Sequence, residues 1–317
     1  MQSSEVDELV RIGELLDGNS VLALEKQLLL KPDALALRVQ LLAFYSMHSE
    51  KIRAYVDHVK YFIEKYGADE KFAEFAIYRS ASSKYLNREA YEEIKAAWFH
   101  QLHLPGSSIL TAMNAANFFS VNNEPDLAVA ALKSHPDLTR NPDALYQIAS
   151  LLKLIANRSG SEEKIKEALD YYEQALGLAP NHTSKVLIRI EIALIAFDLA
   201  DFMKVREHAE KALELAEQSQ ADDVYGYAVH RCNVILGRLT LAKNDIPTSM
   251  DHLLKAAAPQ PSALLAISGP DLSLAKLLLS NGYYDAVVEF LTGLSKFEFS
   301  ETHQKKLTRM IKTITWP

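Results

Sequence analysis

The sequence predicts an all-α protein, a right-handed α-solenoid of about eight helix–turn–helix hairpins closed by a C-terminal helix. Three observations carry this expectation. Nearly every segment places apolar residues at a period of three to four, and strand-like alternation is scarce. Clusters of Gly, Pro, Asn, Asp and Ser interrupt the chain about every 12–20 residues. A steric frame also recurs: a small residue, a bulky apolar one a turn later, and a second small one a turn after that. It is clearest at Ala168/Tyr172/Ala175 before Pro180 and at Ser249/Leu253/Ala256 before Pro261. The unit is roughly 34 residues, the period of a stacked helical hairpin.

The elements follow from the punctuation, in order. Asp17-Gly18-Asn19 separates a helix over 3–16 from one over 19–30. Lys31-Pro32-Asp33 opens 33–47, which pairs with 50–66. Tyr66-Gly67-Ala68 precedes 69–83, and Leu86-Asn87 divides it from 87–101. Pro105-Gly106 opens 107–121, which turns at Asn123-Glu124-Pro125 into 125–135. Asn141-Pro142-Asp143 opens 142–157, whose turn to 162–178 is stretched over Asn157–Ser161. Ala179-Pro180-Asn181 leads to 184–200 with 203–218, and Asn244-Asp245 joins 222–243 to 246–258. Ser268-Gly269-Pro270 leads to 271–281, which turns at Asn281-Gly282 into 284–296. A helix over 300–314 has no partner. Proline lacks the N–H that continues a helix and blocks the turn before it, while Asp, Asn and Ser cap the free amides of the next helix.

Further copies of the frame stand at Ala90/Ile94/Ala97, Ala128/Leu132/His135, Val205/Ala209/Ala212 and Val287/Leu291/Leu294. First helices carry a small residue twelve positions upstream, at Ala116, Ala156, Ala193, Gly237 and Ala275. Helices approach to about 8–10 Å only where side chains are small, and bulky ones fill the gaps alongside. Residues 1–140 read as a divergent half and 141–317 as the more regular half of one continuous array. In the last helix Leu307, Met310, Ile311 and Ile314 share one side and Lys305, Lys306, Arg309 and Lys312 the other, the pattern of a cap on the open end of a stack.

Composition narrows the function. The 317 residues are 49% hydrophobic and 24% charged, which fits a folded domain. Lys and Arg number 34 against 41 Asp and Glu, a net charge of −7. That balance argues against nucleic acid as the principal partner. Residues 1–14 lack a basic start and an apolar run, and no stretch reaches the ~18 apolar residues of a membrane span. These readings favour the cytoplasm.

Signatures of catalysis are missing: there is no HExxH, Walker loop, GxGxxG or GxSxG. His100 and His103 form at most a two-ligand arrangement, read more simply as a helix end. Cys232, the lone cysteine, reads as a small buried apolar side chain, and Trp98 as core. No catalytic residue, metal or cofactor is expected.

The frame resembles that of tetratricopeptide repeats. Leu28–Tyr45 (LLLKPDALALRVQLLAFY), Asn87–Phe119 (NREAYEEIKAAWFHQL, then AANFF) and Leu236–Leu291 (LGRLTLAKND, SGPDLSLAKLLLSNG, VVEFL) look like a poorly characterised group of bacterial tetratricopeptide proteins. The resemblance implies an interaction role, with first helices lining a concave groove. It points inward the residues three before and one after each small position: Met113 and Asn117, Lys153 and Asn157, Ile190 and Leu194, Val234 and Arg238, Leu272 and Lys276. Arg231 adds charge one turn before Val234. The candidate groove is therefore Asn117, Lys153, Asn157, Arg231, Arg238 and Lys276, suited to a peptide carboxylate or acidic segment of a partner protein. The family's full carboxylate clamp is not implied, because Glu191 and Ile235 occupy places where the family uses Asn and a basic residue. The function expected is a non-catalytic scaffold or adaptor. The alternative is a structural, self-associating homo-oligomer in a bacterial assembly.

Overall fold

The described structure is built from packed α-helices, many of them joined as hairpins. The computed structural model describes residues 3–69, 87–220, 222–257, 262–297 and 299–315. The expected helix over 69–83 lies almost wholly outside these residues, as do Pro261 and Trp316. Among the described residues there are seventeen α-helices and no strand.

The chain divides into two units, Met1–Arg158 and Ser159–Pro317. The division falls in the stretched turn at Asn157–Ser161, later than the 140/141 boundary read from the sequence. In the first unit the helices are α1 (Ser3–Glu14), α2 (Gly18–Leu30), α3 (Leu35–Ser46), α4 (Ile52–Tyr66), α5 (Arg88–Leu102), α6 (Ile109–Val121), α7 (Pro125–Lys133) and α8 (Pro142–Ser159). Both α1 and α2 pack on α3, and each helix from α3 to α6 packs on the next. Phe62, Trp98, Phe119, Leu132, Leu145 and Ile148 are fully buried there.

The second unit holds α9 (Glu162–Leu178), α10 (His182–Asp198), α11 (Phe202–Glu217), α12 (Val224–Ala242), α13 (Ile246–Ala256), α14 (Ala263–Ser268), α15 (Ser273–Ser280), α16 (Tyr284–Leu294) and α17 (Glu301–Thr315). Packing follows a repeat. First helices touch in series, α10 on α12 and α12 on α15, and the second helices α13 and α16 meet. The short α14 was not expected. Ser262 caps it, and the Asp223 carboxylate accepts the amides of Ala263 (2.5 Å) and Leu264 (2.8 Å).

The small positions do what the frame requires. Ala116, Ala156, Ala193 and Ala275 are buried, as are Ala168/Tyr172/Ala175 and Ser249/Leu253/Ala256. At Gly237 a Cβ would fall 2.3 Å from Leu274 Cδ2 and 3.1 Å from His252 Cβ, so α12, α13 and α15 converge there. The Ser249 hydroxyl donates to the Gly237 carbonyl at 2.9 Å, pinning α13 to α12. Ala97 departs from the frame. It is only half-buried, and its neighbour Trp98 fills the interior instead.

Four hairpin turns repeat one backbone motif. Asn123, Ala200, Asn244 and Gly282 all have positive φ, at 65°, 56°, 60° and 84°. The next residue's N–H reaches back to the carbonyl five residues earlier: Glu124 to Phe119, Asp201 to Ala196, Asp245 to Thr240 and Tyr283 to Leu278. This is the six-to-one closure of a Schellman cap, which satisfies otherwise free C-terminal carbonyls. The turn after α8 uses Gly160 (φ 70°) without that register, and the chain divides there.

Candidate functional site

The expected groove residues fall in both units and are best taken separately. In the first unit Asn117 is exposed on α6 and accepts a 2.7 Å hydrogen bond from Gln147 of α8, which also donates to the Met113 carbonyl at 3.1 Å. Asn157 is exposed near the end of α8, and Lys153 is half-buried and engaged with its surroundings.

In the second unit the structure brings together Arg231, Arg238 and Lys276. They line an open cleft of about 590 Å³ with Pro270, Asp271, Ser273 and Lys306. Arg231 and Arg238 are seven apart on α12, hence on one face. Lys276 and Ser273 come from α15, and Lys306 from α17. Of the apolar positions predicted to face inward, Ile190, Val234 and Leu272 are buried, Leu272 still lining this cleft, while Met113 and Leu194 are half-buried.

Each arginine is positioned by an aromatic ring. The Arg238 guanidinium lies 4.1 Å from the Phe197 ring centroid of α10, and Arg231 lies 5.7 Å from that of Tyr227. Arg231 Nη1 also donates to Asp271 Oδ2 at 3.0 Å, with side chains 23% and 14% exposed. At that burial, losing one partner leaves a costly unpaired charge. Burial by itself would raise the Asp271 carboxyl. The Arg231 charge and the Ser273 hydrogen bonds outweigh it and hold the group below its ordinary range.

Donors remain to spare. Nε of Arg231, Nε of Arg238 and the Ser273 hydroxyl find no hydrogen-bond partner among the described residues. At the α15 N-terminus the Asp271 carboxylate accepts the Ser273 amide at 2.9 Å, and Leu272 in the N-cap position adds no side-chain cap. Four cations line the cleft with one carboxylate already paired to Arg231, and Glu191 nearby adds a second negative charge that acts on Arg231, in a chain whose net charge is −7. Such a cleft can hold an anionic group by charge-assisted hydrogen bonds.

His230 braces the cleft from below. It is fully buried, donating from Nδ1 to the Ala256 carbonyl at 2.8 Å and accepting the Asp271 N–H on Nε2 at 2.8 Å. Burial drives its pKa down to about 4, so it holds Asp271 in place as a neutral ring. Cys232 is buried, with its thiol pushed up to about 12 by desolvation. His103 Nδ1 bonds the Phe99 carbonyl at 2.6 Å, and no group of three His, Cys, Asp or Glu among the described residues is placed for a metal.

Sequence reasoning missed Asp271, Lys306 and Phe197. Lys306 was visible as part of the basic side of the last helix, but its distance in sequence hid its place beside α15. No helix among the described residues is long and apolar enough to cross a membrane.

No family model and no curated protein matches this chain. Among solved structures it is similar to the human IFIT1 dimer with PPP-AAAA, at 17% identity and a TM-score of 0.47, over 94% of this chain and 68% of that one. At that level nothing about this chain's own ligand follows, and the hairpins, caps and small-residue contacts described above stand as its fold: a helical-repeat protein.

Proposed function

We propose that the protein is a non-catalytic scaffold that holds an acidic segment of a partner protein in the cleft of Arg231, Arg238, Lys276 and Lys306. The observation that carries this reading is the gathering of Arg231, Arg238, Lys276 and Lys306 around one carboxylate that is already paired with Arg231. An extended acidic segment offers carboxylates at the spacing of successive side chains, and planar guanidinium groups bind carboxylates in pairs. Among first-unit residues, Asn117 is already engaged by Gln147, so the reading rests on the second unit alone. The bacterial group that the sequence resembles is in keeping with an adaptor role.

The test is fluorescence anisotropy with a labelled Asp/Glu-rich peptide, comparing wild type with an Arg238→Glu/Lys276→Glu double variant. Arg231 is left intact because it also neutralises Asp271. Binding that falls at least tenfold and weakens with salt is the expected outcome. Equal binding by the variant, or preferential capture of an RNA oligomer of the same charge, would sink the proposal.

A further inference from the structure

Helix α17 carries more positive charge than the cleft uses. Lys306, which lines the cleft, shares this helix with Lys305, Arg309 and Lys312. At about 100° per residue the four fall within a third of the helix circumference, opposite Leu307, Ile311 and Ile314, which pack on the core. All four are exposed. The one carboxylate of α17, on Glu301, is paired with Lys305 at 2.6 Å. Lys306, Arg309 and Lys312 make no ion pair among the described residues. Like charges three and four apart weaken a helix. The other surface helices of this unit space opposite signs instead: Glu162 with Lys166 on α9, Arg206 with Glu210 on α11, Asp251 with Lys255 on α13. After its first turn α17 departs from that pattern.

We propose that this stripe continues the basic cleft, so that the acidic segment held there runs on over Arg309 and Lys312. The inference rests on the cleft reading above and adds the length and charge pattern of the segment. Lys306 is the junction, standing both in the cleft and on the stripe. Arg231 and Arg238, seven apart on α12, span about 10 Å. Crossing past Lys276 to α17 adds about one helix diameter, ~10 Å, and the rise from Lys306 to Lys312 about 9 Å more. An extended chain advances about 3.3 Å per residue. The occupant is thus an acidic stretch of roughly nine residues, not a single terminal carboxylate.

The lining favours a peptide over a nucleic acid strand. No aromatic ring lines the cleft among the described residues, so bases would find no stacking platform there. Leu277, 43% exposed beside Lys276, offers an apolar contact to a side chain between the acids.

The test compares labelled peptides on the full chain by fluorescence anisotropy, at near-physiological salt so that distant charges are screened. One peptide is nine glutamates, one is four glutamates, and one is four glutamates followed by five serines. The nine-glutamate peptide is expected to bind at least tenfold more tightly than the other two. An Arg309→Glu/Lys312→Glu variant with unchanged circular dichroism should abolish that gain and leave both four-glutamate peptides within about twofold of wild type. Lys305 is left intact because it pairs with Glu301. If the four-glutamate peptides bind and respond to Arg238→Glu/Lys276→Glu, but nine glutamates bind no better, the extension is overturned and the cleft reading stands. If the α17 variant weakens all three peptides equally, the stripe acts only as a diffuse field and the extension is again overturned. If no peptide binds, both readings fall. Tighter binding of a nine-nucleotide RNA, lost in the α17 variant, would assign the stripe to RNA and overturn the proposal.

Discussion

The last helix of the chain and its second helix are both amphipathic, yet one is covered and the other is not. Leu307 of α17 is fully buried, and Met310, Ile311 and Ile314 pack on the core of the second unit. Lys305, Lys306, Arg309 and Lys312 remain in solvent. On α2 the apolar residues are numerous enough to cover α3 and still leave Leu22, Leu29 and Leu30 outside. A terminal helix with one apolar stripe finishes a stack. Helix α2, which follows α1 and is not terminal, leaves those leucines uncovered among the described residues.

The largest expected effect that would break this contrast is a matched truncation. Leu307→Ala should cost about 3 kcal/mol, within the range for buried leucines. Leu22→Ser should change stability by less than about 0.5 kcal/mol, because Leu22 is mostly exposed. Chemical denaturation of both variants checks this, and equal losses would erase the distinction between the two ends.

Acid sharpens the comparison from the other side. His230 has a folded pKa of about 4, below the ~6.5 of an unfolded histidine. The unfolded chain therefore binds the extra proton first. Its contribution is intact above pH 6.5, falls as pH drops from 6.5 to 4, and changes no further below that. The integrated loss is on the order of 3 kcal/mol. Chemical denaturation followed by circular dichroism should show stability falling over that window, and His230→Gln should flatten the response.

The smallest effect concerns the turns. Ala200 occupies, at φ 56°, a left-handed position that its counterparts fill with Asn or Gly. Ala200→Gly should raise stability by about 1 kcal/mol, since a Cβ in that region costs roughly that much. The same substitution at Asn244 should yield less, because Asn tolerates the conformation. Thermal unfolding decides, and a loss at Ala200 would show that the turn is not strained.

The regular hairpins from α10 to α16, the short α14 apart, were legible from small residues and turns. Ala193, Gly237 and Ala275 mark close approaches, and a steric requirement leaves a direct trace in side-chain size. The boundaries followed because Pro, Asn and Gly report backbone conformation locally. The site was legible only in part. Spacing placed Arg231, Arg238 and Lys276 on adjacent helices, but it also set Ile190 and Val234 on the groove wall, where packing buries them. Asp271 and Lys306 reach the cleft through a loop and a terminal helix outside the repeat, so no periodicity could find them. Helix α14 escaped because six residues carry too little pattern to distinguish from a loop.

The back-bonded bends at Asn123, Ala200, Asn244 and Gly282 have a mechanical consequence. Each bend is locked by its own backbone, so a pair of rods keeps its shape without instruction from the next pair. Pulled from one end, such a chain should yield in discrete extensions, one pair at a time. Over evolution it could gain or shed a pair as a cassette, leaving the remaining joints undisturbed.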